Sequence, residues 1–218
     1  MDIINKSNFF EKVEGKVPGK IGRPVDKLRD VAILKAALEL VAENGYDCVT
    51  MDSIALRAHA GKATLYRRWK SKPYLIAEAI RFMMPCEQKF DPKCCIDNLR
   101  DYLCELFSIY FGTRDEVRQK VMLSIATSIS RDKLLSEAIH LNCITNQTCI
   151  FSDAIEFSIN KKLDKEQLKL LTDVGPALLF YQLIITGKPI KMQYVEHIVD
   201  HLIIDRKSTR LNSSHHPD

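Results

Sequence analysis

The stretch Thr50–Phe82, TMDSIALRAHAGKATLYRRWKSKPYLIAEAIRF, decides the fold. Its apolar spacing predicts a short helix, a tight turn at residues 59–61, a second short helix over Lys62–Trp69, and then a third helix. Leu65 and Trp69 are four residues apart and form one apolar stripe on the second helix. Because a two-turn helix is unstable alone, this stripe must pack on its neighbours and leave the cationic and hydroxyl side chains exposed. The arrangement is typical of a helix-turn-helix, whose second helix enters the major groove of DNA.

The composition is that of a helical globular protein with an uneven charge distribution. The 218 residues are 46% apolar and 28% charged, which suits one large domain or two small ones. No alternating strand pattern of useful length occurs, so the predicted fold class is all-α. Of the 32 Lys/Arg and 28 Asp/Glu, residues 16–81 hold 13 and 7, and the rest of the chain holds 19 and 21. A basic N-terminal third indicates a module for a polyanion, joined to a module with another task.

The chain divides into four predicted segments. Residues 1–24 form a predicted flexible basic arm, in which Arg23 could lie along phosphates or in a minor groove; a plain disordered terminus is the alternative. Residues 25–84 form a three-helix, helix-turn-helix DNA-binding domain, and residues 96–204 form a helical domain. Residues 205–218 are polar and aperiodic, which indicates a disordered tail, either native or derived from a vector.

The last two predicted helices indicate self-association. The second half of the penultimate helix is apolar on all sides, and a helix of that kind is buried on all sides. A domain of this size rarely surrounds a helix by itself, so we expect the pair to pack against a second copy in a four-helix dimer interface. A core formed wholly within one chain is the alternative. The predicted interface residues are Phe180, Ile184, Val195, Ile198, Val199 and Leu202.

Aromatic and methionine side chains are frequent in the predicted C-terminal helices. They could line a cavity for a small-molecule effector, although at helical spacing an ordinary core is the alternative. The predicted effector-pocket residues are Phe107, Tyr110, Phe111, Met122, Phe151, Phe180 and Tyr181.

Cysteine and histidine patterns argue against a metalloprotein. The seven cysteines are odd in number and contain no C-x-x-C pair, so no structural zinc site is predicted. His197 and His201 are four residues apart but lack a third ligand, so no metal is expected. No apolar signal segment and no run of roughly 18 apolar residues is apparent, which predicts a cytoplasmic protein without a membrane partner.

The sequence contains weaker signals for two other function classes. No nucleophile–base pair or glycine-rich phosphate loop stands out, so the sequence predicts neither an enzyme nor a bound cofactor. Cys94 and Cys95 lie beside Lys93, and an exposed thiolate there would react with oxidants. The alternative function is therefore a thiol-based redox-sensing DNA-binding regulator without a small-molecule ligand, whereas the simpler interpretation of these cysteines is packing.

Residues 33–80 resemble the DNA-binding domain of the TetR family of bacterial transcriptional regulators. The matching segments are AALELVAENGYDCVTMDSIA, RA-x-x-x-K-x-TLYRRW and KSK-x-x-L. The run from Thr64 to Tyr66, with Trp69 and then Lys72, is the most specific part. The resemblance implies a repressor that binds a palindromic operator as a homodimer, with effector binding and dimerisation in the C-terminal helical domain.

The resemblance also implies roles for individual residues of the DNA-binding domain. Lys62, Ala63 and Tyr66 match positions that contact bases and backbone in the major groove. The positions that grip phosphate are matched by Thr50, Thr64, Tyr66 and Lys72. Arg67 and Arg68 also lie on the recognition helix, where either arginine could pair with guanine or with phosphate.

The turn departs from the family pattern at two positions. His59 occupies the site where glycine takes a left-handed cap conformation, so we expect some backbone strain. Gly61 replaces the hydroxyl side chain that usually caps the recognition helix, which is a weaker but acceptable cap.

Overall fold

The computed structural model describes residues 27–83, 99–141, 151–156 and 164–204. The N-terminal helices are α1 (Lys27–Asn44), α2 (Met51–Arg57), α3 (Lys62–Arg68) and α4 (Lys72–Met83). The C-terminal helices are α5 (Leu99–Phe111), α6 (Glu116–Ser128), α7 (Lys133–Ile139), α8 (residues 151–156), α9 (Lys165–Phe180) and α10 (Met192–Ile198). Helices α9 and α10 continue into π-helical segments over Tyr181–Ile185 and Val199–Ile204. No strand occurs in these four described ranges, and the predicted all-α fold class is confirmed.

Several predicted features lie outside the described residues. They are the N-terminal arm 1–24 with Arg23, the cysteines Cys94 and Cys95, the tail 205–218, and the side chain of Leu202.

Short polar side chains cap the starts of four helices. Thr50 accepts a hydrogen bond from the Ser53 amide at 3.0 Å and begins α2. Asp115, Asp132 and Asp164 accept from backbone amides at the starts of α6, α7 and α9. Each carboxylate satisfies an amide that has no partner within its helix, and its charge is favourable at the positive end of the helix dipole.

Helix α1 lies at the centre of the N-terminal half. It contacts α2, α4 and α6, and its residues Ile33, Ala37 and Val41 are buried. Helix α4 in turn packs on α7, so the N-terminal helices rest directly on the C-terminal ones. Helices α1 and α4 also hold the recognition helix α3, through Arg68 and Trp69. The position of α3 relative to α6 and α7 is therefore fixed through α1 and α4.

An aromatic cluster fills the C-terminal core. The ring centroid of Phe107 lies 4.7 Å from that of Phe151 and 6.4 Å from that of Phe111, and Tyr110 also contacts Phe151 at 5.8 Å. Gly175 of α9 lies against the far end of the Phe107 ring, where a β-carbon would come within 2.9 Å of Cε1. Only the absence of a side chain at this position allows α9 to approach α5 so closely.

The cluster contains four of the predicted effector-pocket residues. Phe107, Tyr110, Phe111 and Phe151 are buried against one another in the core, and their contact with an effector stays a prediction. Met122 and Phe180 are half-buried and pack against this core. Tyr181 is exposed, because the π-helical turn carries it to the outer side of α9.

The predicted dimer interface is wrong at three positions. Val195, Ile198 and Val199 are 0%, 4% and 0% exposed and pack within the chain, because α10 lies against α5 and α9. A partner subunit cannot reach them. Phe180 is half-buried and Ile184 is exposed, so these two predicted positions remain accessible.

Helix α9 is less buried than its sequence suggests. Leu179 and Leu183 are buried, but Tyr181, Ile184 and Ile185 face outward. Over Lys165–Ile185 the helix reaches a mean hydropathy of 1.4, and 22% of that window is buried. By length and composition alone it is long and apolar enough to cross a bilayer, but the core helix of a soluble protein can have the same length and composition. The prediction that no run of roughly 18 apolar residues occurs is not contradicted, because the helix contains charged residues such as Lys169 and Asp173.

Candidate nucleic-acid interface

The N-terminal end of α2 is held by a reciprocal cap. Thr50 accepts from the Ser53 amide, and the Ser53 hydroxyl accepts from the Thr50 amide, both at 3.0 Å. This capping box fixes the helix start while Thr50 stays exposed. The hydroxyl group therefore lies at a defined place on the surface next to α3.

The α2–α3 turn is a tight helix ending with histidine at the left-handed position. His59 has φ of 48°, which confirms the predicted conformation. The Ala60 amide donates to Ala55 O at 2.9 Å and the His59 amide donates to Leu56 O at 3.2 Å. These two bonds define a Schellman motif, in which glycine is usually found. Gly61 then begins α3 without a side-chain cap, also as predicted.

Helix α3 is anchored by its apolar stripe. Leu65 and Trp69 are buried, and the Trp69 indole donates a 2.7 Å hydrogen bond to Glu78 Oε2 of α4. The helix cannot rotate about its axis while both side chains are docked. The opposite face consequently points to solvent, with Tyr66 54% exposed. The exposed residues of this face are Lys62, Ala63, Tyr66 and Arg67, with Thr64 half-buried beside them.

Arg68 does not belong to this exposed face, which corrects its predicted contact with DNA. Its side chain is 18% exposed and forms an ion pair with Asp30 of α1. The reason is its position: one residue before Trp69, it points back toward α1 rather than outward. Arg68 therefore braces the recognition helix, and Arg67 is the arginine that faces solvent.

Lys72 also has an intramolecular role. Its ammonium donates to Tyr46 O at 3.0 Å and lies 4.0 Å from the centroid of the Tyr46 ring. A carbonyl oxygen and an aromatic face both attract a cation, so the ammonium is held at one place at the start of α4. Lys72 is half-buried in this position.

Two exposed ion pairs flank the recognition helix. The Lys62 ammonium lies 2.6 Å from Asp52 Oδ2 of α2, and this hydrogen bond raises the pKa of Lys62 above its ordinary value. Arg57, at the end of α2, donates to both carboxylate oxygens of Glu43 at 3.0 and 2.7 Å. The surface next to α3 therefore contains carboxylates as well as cations.

Tyr46 connects this surface to the C-terminal helices. Its hydroxyl donates to Asp132 Oδ2 at 2.7 Å, and its amide donates to Ser124 Oγ at 2.7 Å. The hydrogen bond from the Leu135 amide, and then the one from Tyr46, hold the pKa of Asp132 below its ordinary value. Next to it, Arg131 pairs with Asp47 at 2.8 Å. The loop between α1 and α2 is thus bonded to α6 and to the start of α7.

The cysteines within the described residues do not support a thiol switch. Cys104 is buried, and burial raises the pKa of its thiol to about 11, so it is a poor thiolate source. Cys48 is exposed and free. In residues 27–83, 99–141, 151–156 and 164–204, no group of three His, Cys, Asp or Glu side chains is placed to hold a metal ion.

The fold and the α2–α3 geometry together define a helix-turn-helix DNA-binding protein. Residues 33–79 match the family model described as bacterial regulatory proteins, tetR family. An uncharacterized HTH-type transcriptional regulator of Mycobacterium tuberculosis is 28% identical over 202 residues, covering 87% of this chain and 95% of the relative. The DNA-binding transcriptional repressor TetR of Mycobacteroides abscessus is 26% identical over 181 residues, covering 81% of this chain and 92% of the relative.

Solved structures share the fold along most of the chain. A structure from Rhodococcus sp. has a TM-score of 0.64 at 17% identity, covering 81% of this chain and 99% of the other. A TetR family transcriptional regulator from Pseudomonas syringae has a TM-score of 0.55 at 19% identity, covering 84% and 97%. The DNA-binding segment of the chain is therefore that of the TetR family, and the relatives that match most of its length are transcriptional regulators. The predictions of family and of a regulator rather than an enzyme are confirmed.

The sequence did not predict the intramolecular partners of Lys62 and Lys72. Asp52 and Lys62 are ten residues apart, and no helical period brings them together; the tight turn at His59 does. Tyr46 lies in a loop without periodicity, and its contact to Asp132 spans 86 positions. The sequence does place an acidic residue, Asp52, in the first turn of α2. The helix dipole alone would explain an acidic residue there, so it did not indicate a contact with Lys62.

Proposed function

We propose that the protein is a cytoplasmic transcriptional repressor that binds a palindromic operator as a homodimer and leaves it when a small-molecule effector binds. The observation that carries this proposal is the outward face of α3, where Lys62, Tyr66 and Arg67 are exposed while Leu65 and Trp69 anchor the helix. Cationic and hydroxyl groups on a fixed two-turn helix suit phosphates and base edges in a major groove. Thr50, Ala63, Thr64 and Lys72 lie around the same face and extend the proposed contact.

The homodimer is supported by the outer side of α9. Leu170, Tyr181, Ile184 and Ile185 are large apolar residues exposed along this helix and its π-helical end. Large apolar residues exposed on one helix favour an interaction site. A second copy offers the same surface, and a two-fold axis through it would place two recognition helices on two half-sites of a palindrome.

The effector response is supported by the bonded loop at Tyr46. A ligand in the C-terminal domain can release DNA only if it favours a conformation in which the recognition helices are displaced. Helices α6 and α7 hold this loop through Ser124 and Asp132, and the loop holds Lys72. A shift of α6 or α7 would therefore move the start of α4 and the recognition helix that Glu78 of α4 supports.

The test is a binding titration with a labelled duplex selected by the wild-type protein from a random library. Fluorescence anisotropy at increasing salt should show a specific complex whose affinity falls steeply with salt concentration. Tyr66→Ala should weaken it by about tenfold or more, whereas Tyr66→Phe, which keeps the ring, should lose less. If no sequence is enriched in the selection, or if the complex is insensitive to salt, the proposed function is wrong.

Arg67 provides the finer test of what α3 contacts. If Arg67 pairs with guanine, Arg67→Ala should relax the preference at one base pair of the half-site, at a cost of about 1–3 kcal/mol. If it contacts phosphate, the same change should weaken binding to all sequences alike. Arg114→Ala is the matched control, since Arg114 is an exposed arginine beyond the end of α5. It should change neither property.

A further inference from the structure

Asp52 is a carboxylate on the face that the proposed function assigns to DNA. It lies in the first turn of α2, two residues after Thr50, and contacts the first residue of α3. A negative charge next to a phosphate-binding surface weakens binding to any DNA. The proposed function leaves this residue without a role.

We propose that Asp52 is a positioning residue that restrains Lys62 and thereby sets how strongly the protein prefers its operator over other DNA. This inference rests on the proposed function. The restraint is the 2.6 Å contact between the Lys62 ammonium and Asp52 Oδ2. The two side chains are 65% and 56% exposed, so DNA can reach both without any rearrangement of the core.

The ion pair between Asp52 and Lys62 is strong enough to limit the motion of the Lys62 ammonium but too weak to matter for folding. An exposed pair of this kind contributes little to folding, because water and salt screen it. Lysine has a long side chain with four rotatable bonds, so an unrestrained Lys62 would sample many positions. The carboxylate thus restricts the ammonium at little cost in stability, while a correctly placed DNA group can still compete for it.

The simpler explanation is electrostatic compensation within the protein. Lys62 is the first residue of α3, where the helix dipole disfavours a cation, and Asp52 would merely offset that effect. Under this explanation, removal of the Asp52 charge would alter stability slightly and would change binding to every DNA sequence by the same factor. The two explanations therefore differ in the ratio of affinities and not in affinity alone.

Restraint of the Lys62 ammonium affects binding to operator DNA and to non-operator DNA differently. Non-operator DNA is bound through phosphate contacts, which a mobile ammonium makes easily at many positions. In the operator complex Lys62 has one defined partner, and a restrained ammonium reaches it with less loss of entropy. Through restraint, Asp52 therefore weakens non-operator binding and has a smaller net effect on operator binding, whereas its repulsion of phosphate acts on both kinds of DNA alike.

The experiment compares Asp52→Asn with wild type on the selected duplex and on a scrambled duplex of the same composition. We expect the scrambled duplex to bind about three- to tenfold more tightly, and its salt slope to steepen by up to about 0.9, the value for one phosphate contact. The operator affinity should change by less than about twofold, so that the affinity ratio falls. Thermal unfolding should stay near that of wild type.

Three controls isolate the contact. Glu116→Gln makes the same change of charge at an exposed pair on α6, where Glu116 lies 2.7 Å from Lys120, and should leave the ratio unchanged. Asp52→Glu retains the charge and should restore the wild-type ratio. In a Lys62→Met background, Asp52→Asn should no longer lower the ratio, since no ammonium remains to be restrained.

The outcomes separate the hypotheses. A wild-type protein that selects no DNA sequence overturns the proposed function and this inference with it. If wild type binds its operator but Asp52→Asn shifts both duplexes by one common factor, or neither, the positioning role is wrong and Asp52 only compensates charge. If Asp52→Asn loses operator binding alone, Asp52 contacts a base directly, which also contradicts the proposal.

Discussion

The outward faces of α3 and α9 differ in chemistry although both helices are anchored from behind by leucines. Leu65 anchors α3, and the residues on its other side are cationic, hydroxylic or small. Leu179 and Leu183 anchor the end of α9, and the residues on its other side, Tyr181 and Ile185, are large and mostly apolar. The outward face of α3 therefore suits a polyanion, and the outward face of α9 suits another apolar surface. Exposure by itself is therefore uninformative; the residue types on an exposed face indicate the partner.

The largest expected effect comes from breaking the apolar surface of α9. Ile185 is 67% exposed, so Ile185→Glu should not disturb the core but should place a charge in the proposed interface. We expect monomers in sedimentation velocity, and operator affinity reduced by about 100-fold or more, because two linked half-site contacts become one.

Leu134→Glu is the matched control for this change. Leu134 is an exposed leucine in the first turn of α7, where a carboxylate is tolerated by the helix dipole. It should leave the sedimentation coefficient and the affinity unchanged. If Ile185→Glu also sediments as wild type, α9 is not the dimer surface.

The next largest effect is a loss of folding stability on the inner side of α9, where Gly175 contacts Phe107. Gly175→Ala forces a β-carbon into the Phe107 ring, and overpacking of this kind costs about 1–3 kcal/mol, more than alanine gains in a helix. Urea denaturation should show the loss. Phe107→Leu in the same background should cost less than it does alone, since the smaller side chain makes room. Additive costs would mean that the two residues do not contact each other.

A smaller effect is expected where the two regions are joined. Tyr46→Phe removes the hydroxyl that donates to Asp132 and should cost about 1–2 kcal/mol at neutral pH. Because the pKa of Asp132 is lowered on folding, its stabilising contribution is complete above its ordinary pKa and is lost as pH falls through the folded value. The cost of Tyr46→Phe should therefore shrink below about pH 4.

Tyr74→Phe is the control, since Tyr74 is an exposed tyrosine of α4. Denaturation curves of both variants between neutral and acidic pH give the comparison. A cost for Tyr46→Phe that stays constant with pH would show that the hydroxyl acts without the ionised carboxylate.

The smallest effect is a gain in stability on the side of α3. His59 holds a φ of 48°, which is strained for histidine and relaxed for glycine. His59→Gly should stabilise the protein by about 0.5–1 kcal/mol without a change in operator affinity. His59→Ala should not stabilise it, because alanine has the same steric conflict. A loss of affinity in His59→Gly would instead assign the imidazole to the DNA contact.

The sequence predicts the α2–α3 element well because its signals are local. Thr50 caps the amide three residues away, the turn needs a left-handed residue at His59, and Leu65 and Trp69 lie one helical turn apart. Each of these is a relation between near neighbours, and short-range steric and hydrogen-bonding rules govern it. The same holds for the aspartates that begin α6, α7 and α9.

The assignments that fail depend on packing between distant segments. Burial on α10 follows from α5 and α9, so Val195 is core although its helix pattern also suits an interface. An aromatic set at helical spacing does not show which rings contact one another, and Phe107 and Phe151 pack together in the core. Periodicity indicates which residues avoid water, but not which surface covers them.

The sequence alone determined the helical class, the helix-turn-helix and the cationic character of its face, because these depend on residue types and short spacings. The tertiary structure decided which of those cations face outward. Arg68 turns inward to Asp30, Lys72 rests on Tyr46, and Lys62 is held by Asp52. The physical reason is that a charged side chain pairs with whatever opposite charge or dipole the fold brings within a few ångströms, and that neighbour is far away in the sequence.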